Sequence, residues 1–473
     1  MSTLTHAAAP SGSFSTAARV VLMLGALDFG LEQSIILPAL PALADHYSAS
    51  TIGVAWLSTA FLLASIVAVP LCSRLGDIYG KRRLLLASLA TFAIGSLVCA
   101  LTHSIALAVA GRAIQGLGAA VAPLALGLAR DIVSPELLPR VIGSVVGAAN
   151  IGAAVGFLLS GVLVELFSPI ALFWFLFLLA CALMACVVAF VPESSVRSRI
   201  PVDVAGAVLL ASGLVSLLLA ISKGTAWGWS SMEIITLFAG AAALLTVFVL
   251  VERRIPQPLV DLRLVTTKPF ANANLCAFVF GYAFFVAVIV IPQIAAAPEE
   301  SGYGLDLSTI EIGLLLVPTS AAGFLGSWLG GRVVDRIGPR ALVALGAVLG
   351  VVGYVSLAAE RSTFETLALG SAVIGLGWGF ILTGIYPVIM RSASVDKTSV
   401  AIGVMVVFRN TAVSTGVTVA FVLIAAAGYS GEFVNDAGYT WAFVMCAGGA
   451  AVTLLASALL PGRRAAPAPL TAS

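Results

Sequence analysis

Long apolar stretches follow one another along the chain, separated by short polar turns. Each reaches about 20 residues, the length a helix needs to cross the roughly 30 Å of bilayer hydrocarbon. They lie near 18–43, 52–75, 83–102, 106–129, 140–163, 170–191, 203–222, 233–252, 270–297, 310–332, 340–359, 364–388, 399–428 and 439–461. The stretches near 52–75 and 310–332 run into basic turns, which marks their ends. The pattern predicts an all-α integral membrane protein with fourteen transmembrane helices.

Composition narrows the function classes. Of 473 residues, 60% are hydrophobic and 10% charged, against about 25% charged in a soluble globular protein. So apolar a chain cannot cover itself with polar surface, and lipid must form part of its solvent. A net charge of +2 gives no reason to expect nucleic acid. The sequence has no zinc-ligand spacing, phosphate loop or nucleophile elbow, so no enzyme, metal or cofactor is implied. All six cysteines lie in apolar stretches and read as small hydrophobes, not as a disulfide framework. Residues 1–16 are polar and Ala/Ser-rich, with no basic region or cleavage site, so the first stretch is expected to remain a span.

Basic residues set an orientation. With the N-terminus inside, all but four of the 24 Lys and Arg residues fall on the cytoplasmic side. Lys223 and Arg361 lie in outer loops, and Arg112 and Arg409 fall within spans. The asymmetry predicts cytoplasmic termini and an even number of crossings.

Two turns repeat one pattern. Ser73-Arg-Leu-Gly-Asp77-Ile-Tyr-Gly80-Lys81-Arg82-Arg83 follows the second stretch, and Gly331-Arg-Val-Val-Asp335-Arg336-Ile-Gly338-Pro-Arg340 follows the tenth. In both, an acid stands four residues after a small residue and a glycine three later, which points to a duplicated unit. These turns resemble the signature between helices 2 and 3 of the major facilitator superfamily, with Ser73 where glycine is usual. The copies stand eight stretches apart instead of six, so the chain resembles the fourteen-helix drug–proton antiporter branch. That likeness implies a cytoplasmic tail over 1–17, a six-helix bundle over 18–191 and two additional linker helices within 192–256. A second six-helix bundle over 257–461 and a tail over 462–473 complete it. Asp77, Gly80, Arg82 and Arg83, with Asp335, Arg336 and Gly338, would latch the cytoplasmic ends of the helices.

Ionisable groups inside the stretches carry the candidate chemistry. Glu32 and Ser34 followed by Ala39-Leu40-Pro41 resemble the first-helix motif of the fourteen-helix exporters, and Asp28 lies one turn earlier on the same face. Two carboxylates roughly 6 Å apart at an effective dielectric of about 20 repel by about 3 kcal/mol. At least one is therefore expected to hold a proton. Gly111-Arg112-Ala-Ile-Gln115-Gly116 resembles the fourth-helix motif, whose arginine is linked to proton transfer; Glu32 or Asp28 is its natural counter-ion. Gly143, Gly147, Gly152, Gly156 and Gly161 are spaced like the antiporter motif, but Phe157 replaces its proline and Ser160 a glycine. Close helix packing is the role that survives for these glycines. Gln115, Asn150, Phe157, Phe284, Trp378, Tyr386 and Arg409 are candidates to line a substrate cavity.

The resemblance implies a monomeric secondary transporter of a bacterial inner membrane, exporting amphipathic or cationic drugs in exchange for protons by alternating access. Its partners would be a small molecule, protons and the bilayer. Alternatives are an exporter of one metabolite or lipid-like molecule, an uncoupled facilitator, and a non-transporting scaffold or sensor. The last gives no reason for Asp28, Glu32 and Arg112 inside spans.

Overall fold

The computed structural model describes residues 16–36, 38–49, 51–134, 137–194, 204–255, 262–393, 398–430 and 433–462. Among these the chain forms α1 (Thr16–Ser34), α2 (Leu40–His46), α3 (Thr51–Tyr79), α4 (Lys81–Leu101), α5 (Ile105–Leu117) and α6 (Val121–Ile132). Then come α7 (Leu138–Leu166), α8 (Ala171–Phe190), α9 (Val204–Trp227), α10 (Met232–Glu252), α11 (Leu262–Thr266) and α12 (Lys268–Ala296). The last are α13 (Thr309–Ile337), α14 (Pro339–Ala359), α15 (Phe364–Ser392), α16 (Thr398–Ala426) and α17 (Asp436–Ser457). A small antiparallel hairpin, Tyr429–Ser430 with Phe433–Val434, precedes α17.

All fourteen apolar stretches contain helix, but eleven helical segments are long and apolar enough to cross a membrane among the described residues. The first stretch is not among them: α1, 19 residues long, carries Arg19, Asp28 and Glu32 and ends at Ser34. Pro38 lacks the N–H that would bond to Ser34, and its ring would clash with that carbonyl, so α1 stops there. Pro41 sits in the first turn of α2, where a missing N–H costs nothing. Over their described residues α9 and α16 yield only the shorter apolar runs Ala205–Ile221 and Ala401–Val413.

The repeat seen in the turns extends to the helices around them. Both α3 and α13 are 29 residues long, and both α4 and α14 are 21. A single glycine separates each pair, Gly80 at φ 112° and Gly338 at φ 86°. A side chain at either would be strained, so the turn itself demands glycine.

The helices pack as two groups. In the first, α1 lies on α7, α5 on α3 and α4, and α4 on α8; in the second, α15 lies on α13 and α14, and α17 on α12 and α14. The groups meet where α7 packs on α13 and α3 on α16. The helices α9 and α10 pack on each other, and α9 also rests on α3 and α16. Of the eleven segments α15 is the most enclosed, 89% of its apolar window being buried, and α10 the least at 17%. A central post and a lipid-facing periphery follow from that difference.

Candidate functional site

The acids of α1 are enclosed. Asp28 and Glu32 are each 1% exposed, and the two side chains, one helical turn apart, lie within electrostatic reach of each other. Carboxylates only accept, so a bond between them needs a proton. Among the described residues no donor reaches any of the four oxygens.

Glycines bring this enclosure about. A Cβ on Gly30 would collide with the carbonyl of Ala149, one on Gly152 with that of Leu27, and one on Gly156 with the Ser34 hydroxyl. The backbones of α1 and α7 therefore touch along the turns that carry the acids. Ser34 is occupied, donating to the carbonyls of Gly30 and Leu31 at 3.2 and 3.1 Å. The other glycines of α7 serve a different neighbour. A Cβ on Gly143 would lie 2.5 Å from the Ser327 carbonyl of α13, whereas one on Gly161 would meet only Ile310 at an ordinary 3.6 Å. The series thus faces two helices, α1 and α13.

Arg112 is 2% exposed and well supplied with partners. Its Nε donates to the Leu57 carbonyl at 3.0 Å, a terminal nitrogen donates to Gln115 Oε1 at 2.6 Å, and the guanidinium lies 4.4 Å from the Phe61 ring centroid. The other end of Gln115 donates to Ser96 Oγ at 2.6 Å. Gln115, a candidate cavity residue by sequence, is fully buried with both amide ends engaged and is a positioning residue for Arg112. The contact ion pair expected between Arg112 and an acid of α1 is absent among the described residues. Glu32 stays within electrostatic reach, and a carbonyl, an amide and an aromatic face compensate the cation instead.

At the α3–α4 turn a second charge cluster forms. Lys81 Nζ stands 3.3 Å from Asp77 and 2.7 Å from Asp131 at the end of α6. The Ser194 hydroxyl also donates to Asp131. Beyond α8, Glu193 accepts the Arg82 backbone N–H at 3.0 Å and lies 3.9 Å from Arg83, and the Arg82 guanidinium donates to the Val188 carbonyl at 2.6 Å. A Cβ on Gly80 would come 2.7 Å from Glu193, so that turn needs glycine for space as well as for φ. Sequence reasoning missed Asp131, Glu193 and Ser194. An acid just past the end of an apolar stretch, with a basic turn to neutralise, was the available signal. The second copy is not built this way: Asp335 and Arg336 are exposed and make no ion pair among the described residues. Near the end of α6 stand Arg130 and Asp131; at the end of its counterpart α15 stand Arg391 and Ser392, so a serine takes the place of the acid.

The remaining cavity candidates separate. Trp378 stacks with Phe280 and with Phe284, with centroids 6.0 and 4.7 Å away and planes within 11° and 9°. Trp378 is thus part of an aromatic cluster with two rings of α12. Asn150 donates to the Val146 carbonyl at 3.2 Å and to Ser327 Oγ at 3.4 Å, tying α7 to α13. Half-buried Phe157 runs beside Gly313 at the same contact. Tyr386 and Arg409 are buried near each other, the latter 5.8 Å from the Phe29 ring of α1.

Comparison with known proteins agrees with this architecture. The model of the Major Facilitator Superfamily matches residues 22–417 and 273–473. The tetracenomycin C resistance and export protein of Streptomyces glaucescens is 28% identical over 440 residues, 90% of this chain and 80% of that protein. A multidrug resistance protein of Mycobacterium tuberculosis, Stp, is 29% identical over 407 residues, 85% of this chain and 73% of its own. Among solved structures, a human organic anion transporter superposes with a TM-score of 0.69 at 18% identity, covering 93% of this chain and 99% of that one, which is a likeness of fold. Helix arrangement and sequence agree, and the chain belongs to the Major Facilitator Superfamily of multi-pass membrane transporters.

Proposed function

We propose that the chain is a secondary active exporter that moves small amphipathic or cationic compounds outward in exchange for protons. One observation carries the reading: two carboxyl groups face each other inside the first helical group with no donor for their oxygens. Burying such a pair is costly unless protons neutralise it, and the cost changes when the pair meets water. A carboxyl pair that is stable only when protonated in one conformation couples that conformation to a proton. Arg112, held by Gln115 and Leu57, keeps a positive field near Glu32 to assist release. The names of the bacterial relatives, tetracenomycin C export and multidrug resistance, support export of a drug-like molecule.

In this proposal fourteen crossings place both termini in the cytoplasm, and one chain is the functional unit. Residues 18–191 and 257–461 rock as two bundles about the α7–α13 and α3–α16 contacts, while α9 and α10 stay peripheral. The cluster of Asp77, Lys81 and Asp131 latches one bundle at the cytoplasmic end. The Arg130 contact to the Ala393 carbonyl, 3.2 Å long, joins the two bundles there and must part in each cycle.

The test is transport into vesicles with an imposed pH gradient. Glu32→Gln keeps the shape of the side chain and removes its proton exchange. It should abolish uphill transport and leave ligand binding in place. Concentration of substrate by Glu32→Gln at the wild-type rate would place the coupling elsewhere.

A further inference from the structure

Each helical group carries one arginine inside its apolar stretches, and the two are treated differently. Arg112 has a carbonyl, an amide and an aromatic face. Arg409 of α16, 8% exposed, makes no hydrogen bond and no ion pair among the described residues, and its Nε is buried without an acceptor. A guanidinium stays charged, so burial without a counter-group is a standing cost that natural chains avoid unless something else meets it.

Among the described residues the surroundings do not compensate. Phe29 of α1 is 5.8 Å away across the junction between the two groups, near the far limit of a cation–π contact. Tyr386 of α15 is within electrostatic reach, and a phenol carries no charge at neutral pH. Asp28 and Glu32, although on the facing helix, make no ion pair with Arg409 and address each other instead. Space is provided where a partner is not. A Cβ on Gly281 of α12 would come 3.5 Å from the Arg409 stem and 3.8 Å from the Trp378 edge. The stem thus lies along a bare stretch of α12, and the charged head reaches the seam toward α1.

We propose that Arg409 receives an acidic oxygen of the transported compound, a carboxylate or an ionised phenol or enol on an aromatic framework, at the seam between α16 and α1. The guanidinium fork offers paired N–H donors that suit such a group, and it repels a simple organic cation. The Phe29 ring supplies the apolar surface for the framework, and the Tyr386 hydroxyl is a second donor for the same oxygen. The inference rests on the export reading and narrows its substrate from amphipathic or cationic compounds to acidic aromatic ones.

The test is equilibrium binding to the purified full-length protein in detergent, with no gradient, using naphthoic acid, methyl naphthoate and tetraphenylphosphonium as probes. At neutral pH the unmodified protein should bind the acid at least about tenfold more tightly than its ester, the scale of one charge-assisted hydrogen bond. Arg409→Gln should erase that ratio while leaving the ester within about twofold, and Arg409→Lys should keep part of it. Equal binding of acid and ester, or a ratio unchanged in Arg409→Gln, overturns the proposal. The acid–ester comparison needs no variant, so poor folding of a substituted chain does not remove it. Gradient-driven export of tetraphenylphosphonium with no preference for the acid would overturn this inference and leave the export reading standing. Arg409-dependent acid binding without any gradient-driven transport would do the reverse.

Discussion

Lys81→Met tests whether the α3–α4 turn is held by its buried charges. Lys81 Nζ lies 3.3 Å from Asp77 and 2.7 Å from Asp131, and all three side chains are at most 1% exposed. At an effective dielectric of about 20 each contact is a gross attraction of roughly 5–6 kcal/mol. Most of that offsets desolvation, so the intact cluster adds little net stability. Removing the cation alone strips both acids of it and should cost about 3–5 kcal/mol. Asp131→Asn keeps the Lys81–Asp77 pair and can still accept from Ser194, so its loss should be nearer 1–2 kcal/mol. Unfolding midpoints in detergent, measured beside transport at matched protein in the membrane, check the order. The double variant Lys81→Met with Asp131→Asn should recover stability over Lys81→Met alone, because it removes a buried charge left without its cation. The reasoning fails if Lys81→Met unfolds with the wild type, or if the double variant is no more stable than the single one.

Gly152→Ala would drive a methyl into the Leu27 carbonyl, and that backbone cannot give way as a side-chain tip can. A loss of about 1–3 kcal/mol is expected from overpacking alone, with transport falling further than stability, whereas Gly161→Ala should be near neutral in both assays. Gln115→Leu should slow transport about tenfold with little change in substrate affinity, since it frees Arg112 without touching the seam; Gln115→Glu, which keeps an oxygen acceptor, should restore part of the rate. Asp335→Asn should leave unfolding unchanged where Asp77→Asn lowers it, because only the first copy of the turn is enclosed. Reporter fusions should read cytoplasmic at Thr267 and external at Gly228, and a cytoplasmic reading at Gly228 would remove the proposed crossings of α9 and α10.

The stretches of α1–α2 and α5–α6 mark where hydropathy alone falls short. Each is one apolar run in the sequence and two helices in the fold, interrupted next to Pro38 in the first and over residues 118–120 in the second. Hydropathy measures transfer to lipid, which a break barely alters. The break is decided by a missing N–H and by whether neighbouring helices take up the freed carbonyls.

Other features were legible because they depend only on the chain's own order. Long apolar runs must become helices in lipid, since no other segment satisfies its backbone alone. The acid–glycine repeat implied a duplicated unit, and the helices around Gly80 and Gly338 have equal lengths. The placement of Asp28 and Glu32 on one face of one helix follows from a spacing of four. Partnership depends on distance between helices, and no spacing encodes that. Sequence made an acid the natural mate of Arg112, whereas packing of α3, α4 and α5 supplied Leu57, Phe61 and Gln115 first. Sequence made Trp378 a candidate cavity residue without naming its neighbours, and the fold sets it against Phe280 and Phe284 of α12. Asp131, passed over in the sequence, became the nearer acid to Lys81, and Arg409 has none among the described residues. A charge in an apolar run reveals that compensation is needed; only the tertiary structure decides which group supplies it, because the energies involved change over an ångström or two.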